Sequence, residues 1–574
     1  MSGVELGLAL VGVVDVCYKY GTSLVKACQA FKKANTQLGE HILRVEACWL
    51  RIEIQLQVVR GLAALMSERH YHVQQQVLEV LLTKLRIADS KLAGLTRSSS
   101  STRIHPAAEM ASVKGKAWKY ALLKDSLVEV ISELDAWQAI FDPTWFLLMK
   151  IASPEVDSQL EVTKRQQPDE AQSGWFTNIP AARHLRDALR SDGDGASKFS
   201  MLLRPDGLVV DSISSIPFSP VRTAQRVNNS QIILLDPVTL TSRPSVSAVL
   251  RDIRNFARRL RHADPFRFGL LECKGILKGE SEVSVKAKTS HQSCAITEFT
   301  FVFRLPTTYS KIQSLRWRLL NWSENEYQSL SDRFVLARQL INAVSYVHVY
   351  GFVHKNIRPE TILIISDGSS RLGKNAVGDK DINTGAVETA VLVGFDVLRD
   401  ADGKTCRVGD DDWEKNVYRH PSRQGRTPDT DYEMRHDIYS VGVCLLEIGL
   451  WETFVAYDDR DSNMAGASRA LPTPANLLLT HLGVEPGEFE LDESSSRPLK
   501  DPGWVKDHLL WLARGKLRRK MGTRYSRVVE TCLTCLDKEN VDFGDEEEFQ
   551  DEDGVAVGVR YIEKVLAKLA DISV

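Results

Sequence analysis

The chain has 574 residues, of which 43% are hydrophobic and 26% charged, with a formal net charge of −2. That length is too great for one hydrophobic core, so several domains are expected. The near-neutral balance supplies no bulk attraction to nucleic acid or to an anionic membrane.

Nine cysteines are scattered from 17 to 535, an odd and dispersed set that predicts reduced thiols in the cytosol or nucleus. Cys532 and Cys535 make one CxxC inside an apolar pattern, which predicts buried helix thiols rather than a metal site. No apolar run reaches the roughly 18–20 residues of a membrane span. Residues 6–14 form a short apolar core preceded by Glu5 and no basic residue, a pattern that predicts no secretory signal.

Residues 1–152 predict an all-α helical bundle. Leu38, Ile42, Val45, Trp49, Ile52, Leu56, Val59, Ala63 and Met66 alternate steps of four and three, which sets them on one stripe of a long helix. A second stripe runs from Val77 or Leu78 through Leu81, Leu85, Ala88 and Leu92 to Leu95, and a third from Leu123 to Phe141. Thr96 to Thr102 is rich in serine and predicts a solvated loop between them. Single stripes need partners, and several antiparallel ones make a bundle.

The first helix, about residues 3–33, is apolar nearly all round in its first half and carries Lys19, Lys26, Lys32 and Lys33 in its second. Such a helix belongs inside protein or inside lipid. Two readings follow: a central bundle helix, or a helix that leaves the bundle and enters a bilayer through Leu6, Leu10 and Val13. Gly3 and Gly7 would allow close helix packing in lipid.

Residues 153–200 are rich in breakers and polar loop, and predict a linker with a brace helix at 181–189. From 201 to 306 short β-like runs appear at 207–211, 231–235, 269–277 and 298–304, with one helix at 246–262. Residues 307–574 read as mostly helical. The loops 366–388 and 456–470 read as surface insertions. Arg514 to Arg527 is basic and 537–553 acidic, which predicts a solvated charged loop, with internal pairing or a partner site as alternatives.

One stretch carries chemical information: His354-Lys355-Asn356-Ile357-Arg358-Pro359-Glu360-Thr361, after a helix ending at His348 and before the apolar run 362–365. Its spacing resembles the catalytic loop of protein kinases. Val391 to Asp396 falls where the metal-binding triplet of that family would lie, and Tyr418 to Ser422 resembles the end of its activation segment. The helix from Asp437 through Gly442 to Glu447 resembles the buried helix that follows, whose Asp ties the loop in place. The resemblance implies a two-lobed fold over residues 201–306 and 307–574, with Pro359, Asp437 and Gly442 as structural positions and His354 as a packing residue.

The reaction residues depart from the family pattern. Asn356 stands at the position of the general base, and an amide cannot accept a proton near neutral pH. Thr361 replaces the supporting metal ligand. Gly394-Phe395-Asp396 offers no side chain at its first position, with Asp396 two residues late. The strand 231–236 has no lysine for a nucleotide, and the helix after it has Asp252 as its only acid. Gly207 stands alone, without a glycine-rich loop, and Ser422 replaces the acid that closes the activation segment.

The whole arrangement resembles fungal HeLo-type cell-death proteins and the mixed-lineage kinase-like pseudokinase architecture. That resemblance implies a pseudokinase controlling a membrane-perturbing or oligomerising bundle. It further implies protein partners, homo-oligomers, a cytoplasmic protein recruited to membrane, no nucleic acid, and no required cofactor, with ATP binding left open. A non-enzymatic protein-binding scaffold is the alternative, and an atypical active Ser/Thr kinase the second.

Overall fold

A computed structural model describes residues 3–34, 38–63, 66, 68–100, 109–151, 157, 182–183, 185–187, 201–204, 208–227, 229–238, 246–283, 294–306, 309–321, 328–367, 388–395, 399–400, 409–457, 472–479, 501–544 and 555–572. The chain divides into two compact units, Met1–Leu189 and Arg190–Val574.

The first unit is helical. Its long helices are α1 (Gly3–Ala34), α2 (Gly39–Leu62), α3 (Glu68–Ser100) and α4 (Glu109–Ile151). Helix α1 packs on α2 and α3, and α4 packs on both of those. The predicted stripes form the core: Ile42, Val45, Ile52, Leu56 and Val59 from α2, Leu78, Leu81, Leu85 and Leu92 from α3, and Leu127, Leu134, Trp137 and Phe141 from α4. Helix α3 continues through Ser100, into the stretch that reads as a loop from sequence. Arginine is a good helix former, serine and threonine lower helix propensity only modestly, and no glycine or proline falls between Thr96 and Ser100.

The apolar interior contains a polar layer between α2 and α4. Gln55 of α2 donates to Asp142 of α4 at 3.0 Å, and Gln138 donates to Gln55 at 2.6 Å, all three being buried. Gly21 of α1 serves as a bed for the Trp49 ring, since a Cβ there would lie 2.0 Å from the nearest ring carbon.

Residues read as linker join this unit. Described residues 182–183 and 185–187 are helical. Arg186 is buried, donates to Asp157 and gives Met149 near the end of α4 a hydrogen bond of 2.7 Å.

The second unit is mixed α and β. Its main sheet has the order β1-β5-β6-β4-β3-β2, with β1 (Leu202–Leu203), β2 (Leu208–Ser215), β3 (Arg222–Arg226), β4 (Asn229–Val238), β5 (Glu272–Val283) and β6 (Cys294–Arg304). All neighbours are antiparallel except the two-residue β1 on β5. Helix α5 (Val246–Arg259) lies between β4 and β5 in the chain, and Phe256 meets Phe301 of β6 at 6.1 Å. Strand β3 has no apolar run: Ala224 alone is buried, between half-buried Thr223 and exposed Gln225, and pairing with β2 and β4 makes it a strand.

Beyond Pro306 the chain is helical but also builds a second sheet, order β10-β9-β7, from β7 (Tyr309–Ser314), β9 (Ile362–Asp367) and β10 (Glu388–Leu392). Strand β8 (Phe352–Val353) pairs with β11 (Arg399–Asp400). Helices α6 (Leu330–Val349) and α7 (Met434–Leu450) form the centre, and every residue of α7 is buried. Gly442 permits this, since a Cβ there would sit 2.7 Å from Cys532 Cβ. The basic stretch from Arg514 is helical as well, in a π segment Ala513–Leu517 and α8 (Arg518–Leu533). Its charges pair internally, Arg514 with Glu530 at 2.6 Å, and Lys516 and Lys520 with Glu452 at 2.6 and 2.9 Å. Cys17, Cys28, Cys48, Cys273, Cys444, Cys532 and Cys535 are free and buried, and Cys535 donates to the Arg435 carbonyl at 3.1 Å.

Candidate functional site

The loop 354–361 leaves β8, turns through Pro359–Thr361 and enters β9. Helix α7 anchors it. Asp437 accepts hydrogen bonds from His354 N at 2.7 Å, Lys355 N at 2.9 Å, the Tyr432 hydroxyl at 2.7 Å and His348 Nε2 at 3.1 Å. Burial pushes the Asp437 carboxyl up, but the hydrogen bonds from His348 and Tyr432 help to outweigh it and hold the group below the usual carboxylate range. Lys355 takes the left-handed conformation, φ 66°, so its N–H can turn toward that carboxylate.

His354 is fully buried. Its Nε2 lies 3.1 Å from the Val393 carbonyl and must donate, while Nδ1 accepts from Asn356 N at 3.2 Å. Both nitrogens of the neutral ring are thereby used, and burial lowers its pKa to about 4. It packs and orients; it has no proton to exchange near neutrality.

Asn356 is held at both ends of its amide. Arg358 Nε donates to Asn356 Oδ1 at 2.9 Å, and Asn356 Nδ2 faces the Gly394 carbonyl at 3.5 Å. Thr361 Oγ1 turns inward to the Asn356 and Arg358 carbonyls, at 2.7 and 3.0 Å, and accepts Arg358 N at 3.2 Å. Its hydroxyl is spent on the loop.

Gly394 has φ +82°, and a Cβ there would stand 2.3 Å from Thr361 Cγ2. Thr361 therefore occupies the space that a side chain at 394 would need. Asp236 of β4, fully buried, accepts from Gly394 N at 2.8 Å and Phe395 N at 3.2 Å. Phe395 packs between Phe256 of α5 and His354, each at 4.8 Å, with Phe303 at 6.1 Å. Asp396 lies outside the described residues. Asp252, the acid of α5, pairs with its neighbour Arg251 at 3.5 Å, while Arg259 of the same helix donates to the Tyr350 carbonyl.

These contacts test the fit of a metal-bound nucleotide. The sheet offers a carboxylate, Asp236, whose Oδ2 accepts from two amides. Position 394 has no side chain, and Thr361 has no oxygen to spare. The described residues do not fit the group. Among them no cluster of three His, Cys, Asp or Glu side chains could hold a metal ion.

Sequence reasoning missed Asp236, because a lone Asp in a β run carries no motif. It also missed a buried charge network behind the loop. Arg316, fully buried, binds Glu360 at 2.9 Å, Glu447 at 3.3 Å and the Tyr418 hydroxyl at 2.6 Å. Tyr457 adds a bond to Glu360 at 3.0 Å. Burial raises Glu447 despite Arg316, whereas for Glu360 the Arg316 and Arg358 charges overcome burial and lower it.

Ser422 meets two histidines, His420 Nδ1 at 2.9 Å and His436 Nε2 at 3.2 Å. His436 Nδ1 accepts Glu433 N at 3.0 Å, so its Nε2 carries the hydrogen and is a donor to Ser422, not a base. His420 Nδ1 also receives Ser422 N at 3.3 Å, the signature of a capped turn. An open cleft of about 770 Å³ lies elsewhere, lined by Arg514, Arg527, Asp542 and Lys568 among others, and shares no residue with the loop.

The membrane-directed residues sit on α1. Leu10 is buried, Val13 half-buried, and the side chain of Leu6 is outside the described set. The buried stripe of α1 is Leu10, Val14, Cys17, Gly21, Leu24 and Cys28. The helix is not the enclosed centre of the bundle: Leu8 is 68% exposed, and Ala9 and Gly12 are exposed beside it. Contrary to the sequence reading that no apolar run reaches membrane-span length, Gly7–Ala30 is long and apolar enough to cross a membrane by length and composition, because a few polar residues within the helix leave its average apolar. No protein-family model matches the sequence.

Proposed function

We propose that this chain is a catalytically disabled protein-kinase-like signalling protein whose second unit controls a membrane-perturbing, oligomerising helical bundle. The kinase-like part of this reading is supported by the His354–Thr361 loop, its tie to Asp437, and a helix placed between the third and fourth long strands of an antiparallel sheet. The disabled part is supported by Asn356, the closed contact of Thr361 with Gly394, and Asp236 in place of a cation.

The observation that carries the bundle's role is α1, with membrane-span length and an apolar side facing water. Its release would uncover Leu10, Val14, Cys17, Leu24 and Cys28. At about 1.5–3 kcal/mol for each large side chain, that step needs a compensating apolar environment. A bilayer or a neighbouring copy provides one. Protein partners act on the second unit, and recruitment takes the protein from cytoplasm to membrane.

Dye leakage from anionic liposomes tests this, comparing the full chain, residues 1–189 and Leu8→Asp. Leu8 is exposed, so the substitution spares the fold. Leakage by 1–189 that Leu8→Asp abolishes is the expected result. Equal leakage by the variant would sink the membrane role, and intact vesicles with monomeric 1–189 would favour the scaffold.

A further inference from the structure

Internal pairing accounts for only part of the basic stretch from Arg514 to Arg527. Arg514, Lys516 and Lys520 have carboxylate partners. Arg524 and Arg527 have none among the described residues, and both are exposed. They lie three residues apart on α8, past its kink at Gly522, and so share one face of the helix. That face lines the open cleft of about 770 Å³, together with Lys568 of the short helix Ala567–Ala570, which packs on α8. Arg524 gives one hydrogen bond, to the Asp571 carbonyl at 3.3 Å, and a neutral carbonyl leaves its charge uncompensated. Among the described residues Arg527 and Lys568 have no hydrogen-bond or ion-pair partner.

Three carboxylates of the cleft are already neutralised: Glu530 by Arg514, Asp537 by Lys506 and Asp542 by Lys564. Glu539 and Asp571 also line it and have no ion-pair partner among the described residues. The volume falls within the roughly 300–1,000 Å³ of ligand sites. Val541, on the loop that carries Glu539, is fully exposed at the cleft.

We propose that this cleft binds an acidic segment of a protein partner. Carboxylates of that segment meet Arg524, Arg527 and Lys568 in charge-assisted hydrogen bonds, and an apolar side chain covers Val541. Its backbone N–H groups meet Glu539 and Asp571. A nucleic acid carries an unbroken row of phosphates and would bring some of them against those two carboxylates. A bilayer surface is flat and does not enter a cleft. The site gives a partner a place to act on the second unit, and it depends on neither the kinase-like reading nor the bundle's membrane role.

The test uses the full chain and fluorescein-labelled octaglutamate, with and without a central phenylalanine, by fluorescence polarisation at low salt. Arg527→Glu with Lys568→Glu should weaken binding at least about tenfold, because each reversal turns an attraction into a repulsion. Arg518→Glu with Arg519→Glu makes the same change of net charge on exposed residues of α8 outside the cleft, and should leave most of the affinity. Arg527→Gln with Lys568→Gln should lose part of it at the parent melting temperature, which separates loss of binding from loss of fold. The central phenylalanine should strengthen binding in the parent and less so in Val541→Asp.

No binding by the parent, or equal losses in the two double charge reversals, overturns the proposal. So does octalysine binding as tightly as octaglutamate, or an oligothymidylate or phosphatidylserine vesicles taking the cleft in preference to the peptide. Binding seen only after residues 545–553 are replaced by glycine and serine assigns the cleft to the chain's own acidic stretch and removes the partner. Liposome leakage without peptide binding removes this inference and leaves the bundle's role standing.

Discussion

Arg316→Met is the sharpest perturbation of the second unit. Methionine fills most of the arginine's volume, so the effect is electrostatic. In the parent, Arg316 sits 2.9 Å from Glu360 and 3.3 Å from Glu447, with side-chain exposures of 0%, 7% and 0%. Removing the cation leaves two buried carboxylates facing each other. Breaking a buried pair in this way costs about 3–5 kcal/mol. At about 2 °C per kcal/mol for a large domain, the melting temperature should fall by about 6–10 °C.

The pH dependence has a definite sign. Without Arg316, burial raises both folded-state carboxyl pKa values above their unfolded values. The variant's stability is then greatest where both are protonated, and declines as pH rises. Its deficit against the parent should be larger at pH 8 than at pH 5. Adding Glu360→Gln and Glu447→Gln should recover most of the loss. Differential scanning fluorimetry across that range is the assay. A variant melting within about 1 °C of the parent at pH 8, or a triple variant less stable than the single one, would refute the reasoning.

Gly394→Asp, which restores an acid to the triplet, should destabilise by roughly 1–3 kcal/mol through its positive φ and its clash with Thr361. It should also give no phosphoryl transfer, and radiolabelled phosphate incorporation checks that. Gly21→Ala should loosen the bundle by about 1–3 kcal/mol, because its methyl enters the Trp49 ring; helical CD melts of residues 1–189 read it, and an unchanged melt would contradict the packing. Three histidines are held neutral, buried His354 with a pKa lowered to about 4, and half-buried His420 and buried His436 to about 3. Unfolding frees them to bind protons below their ordinary value of 6.5, so stability is full above that pH and declines as pH falls from 6.5 toward 4. The urea midpoint should drop over this interval, less so in His354→Gln, and a flat profile would count against neutral burial.

Much of the architecture is legible in the residues because it is periodic. Steps of four and three from Leu38 to Val59 make a buried helix stripe whatever surrounds them, and the runs 231–235 and 362–365 are strands in the fold. Strand β3 is not legible, since Thr223 and Gln225 give no alternation that a strand scale would notice, and its neighbours decide it. Nor is the depth of α1: an apolar helix can be wholly or partly covered, and which faces find partners depends on how α2 and α3 approach. That Asn356 offers no general base needed only the sequence, because an amide has no basic site in any fold. The closing of the site needed the tertiary structure. Asp236 meets Gly394 and Phe395 across more than 150 residues of chain, and Arg316 meets Glu447 across 131. Such contacts between single, unpatterned residues leave no local trace, because no periodicity or motif specifies a partner that only the packed sheet and helices bring within hydrogen-bond distance.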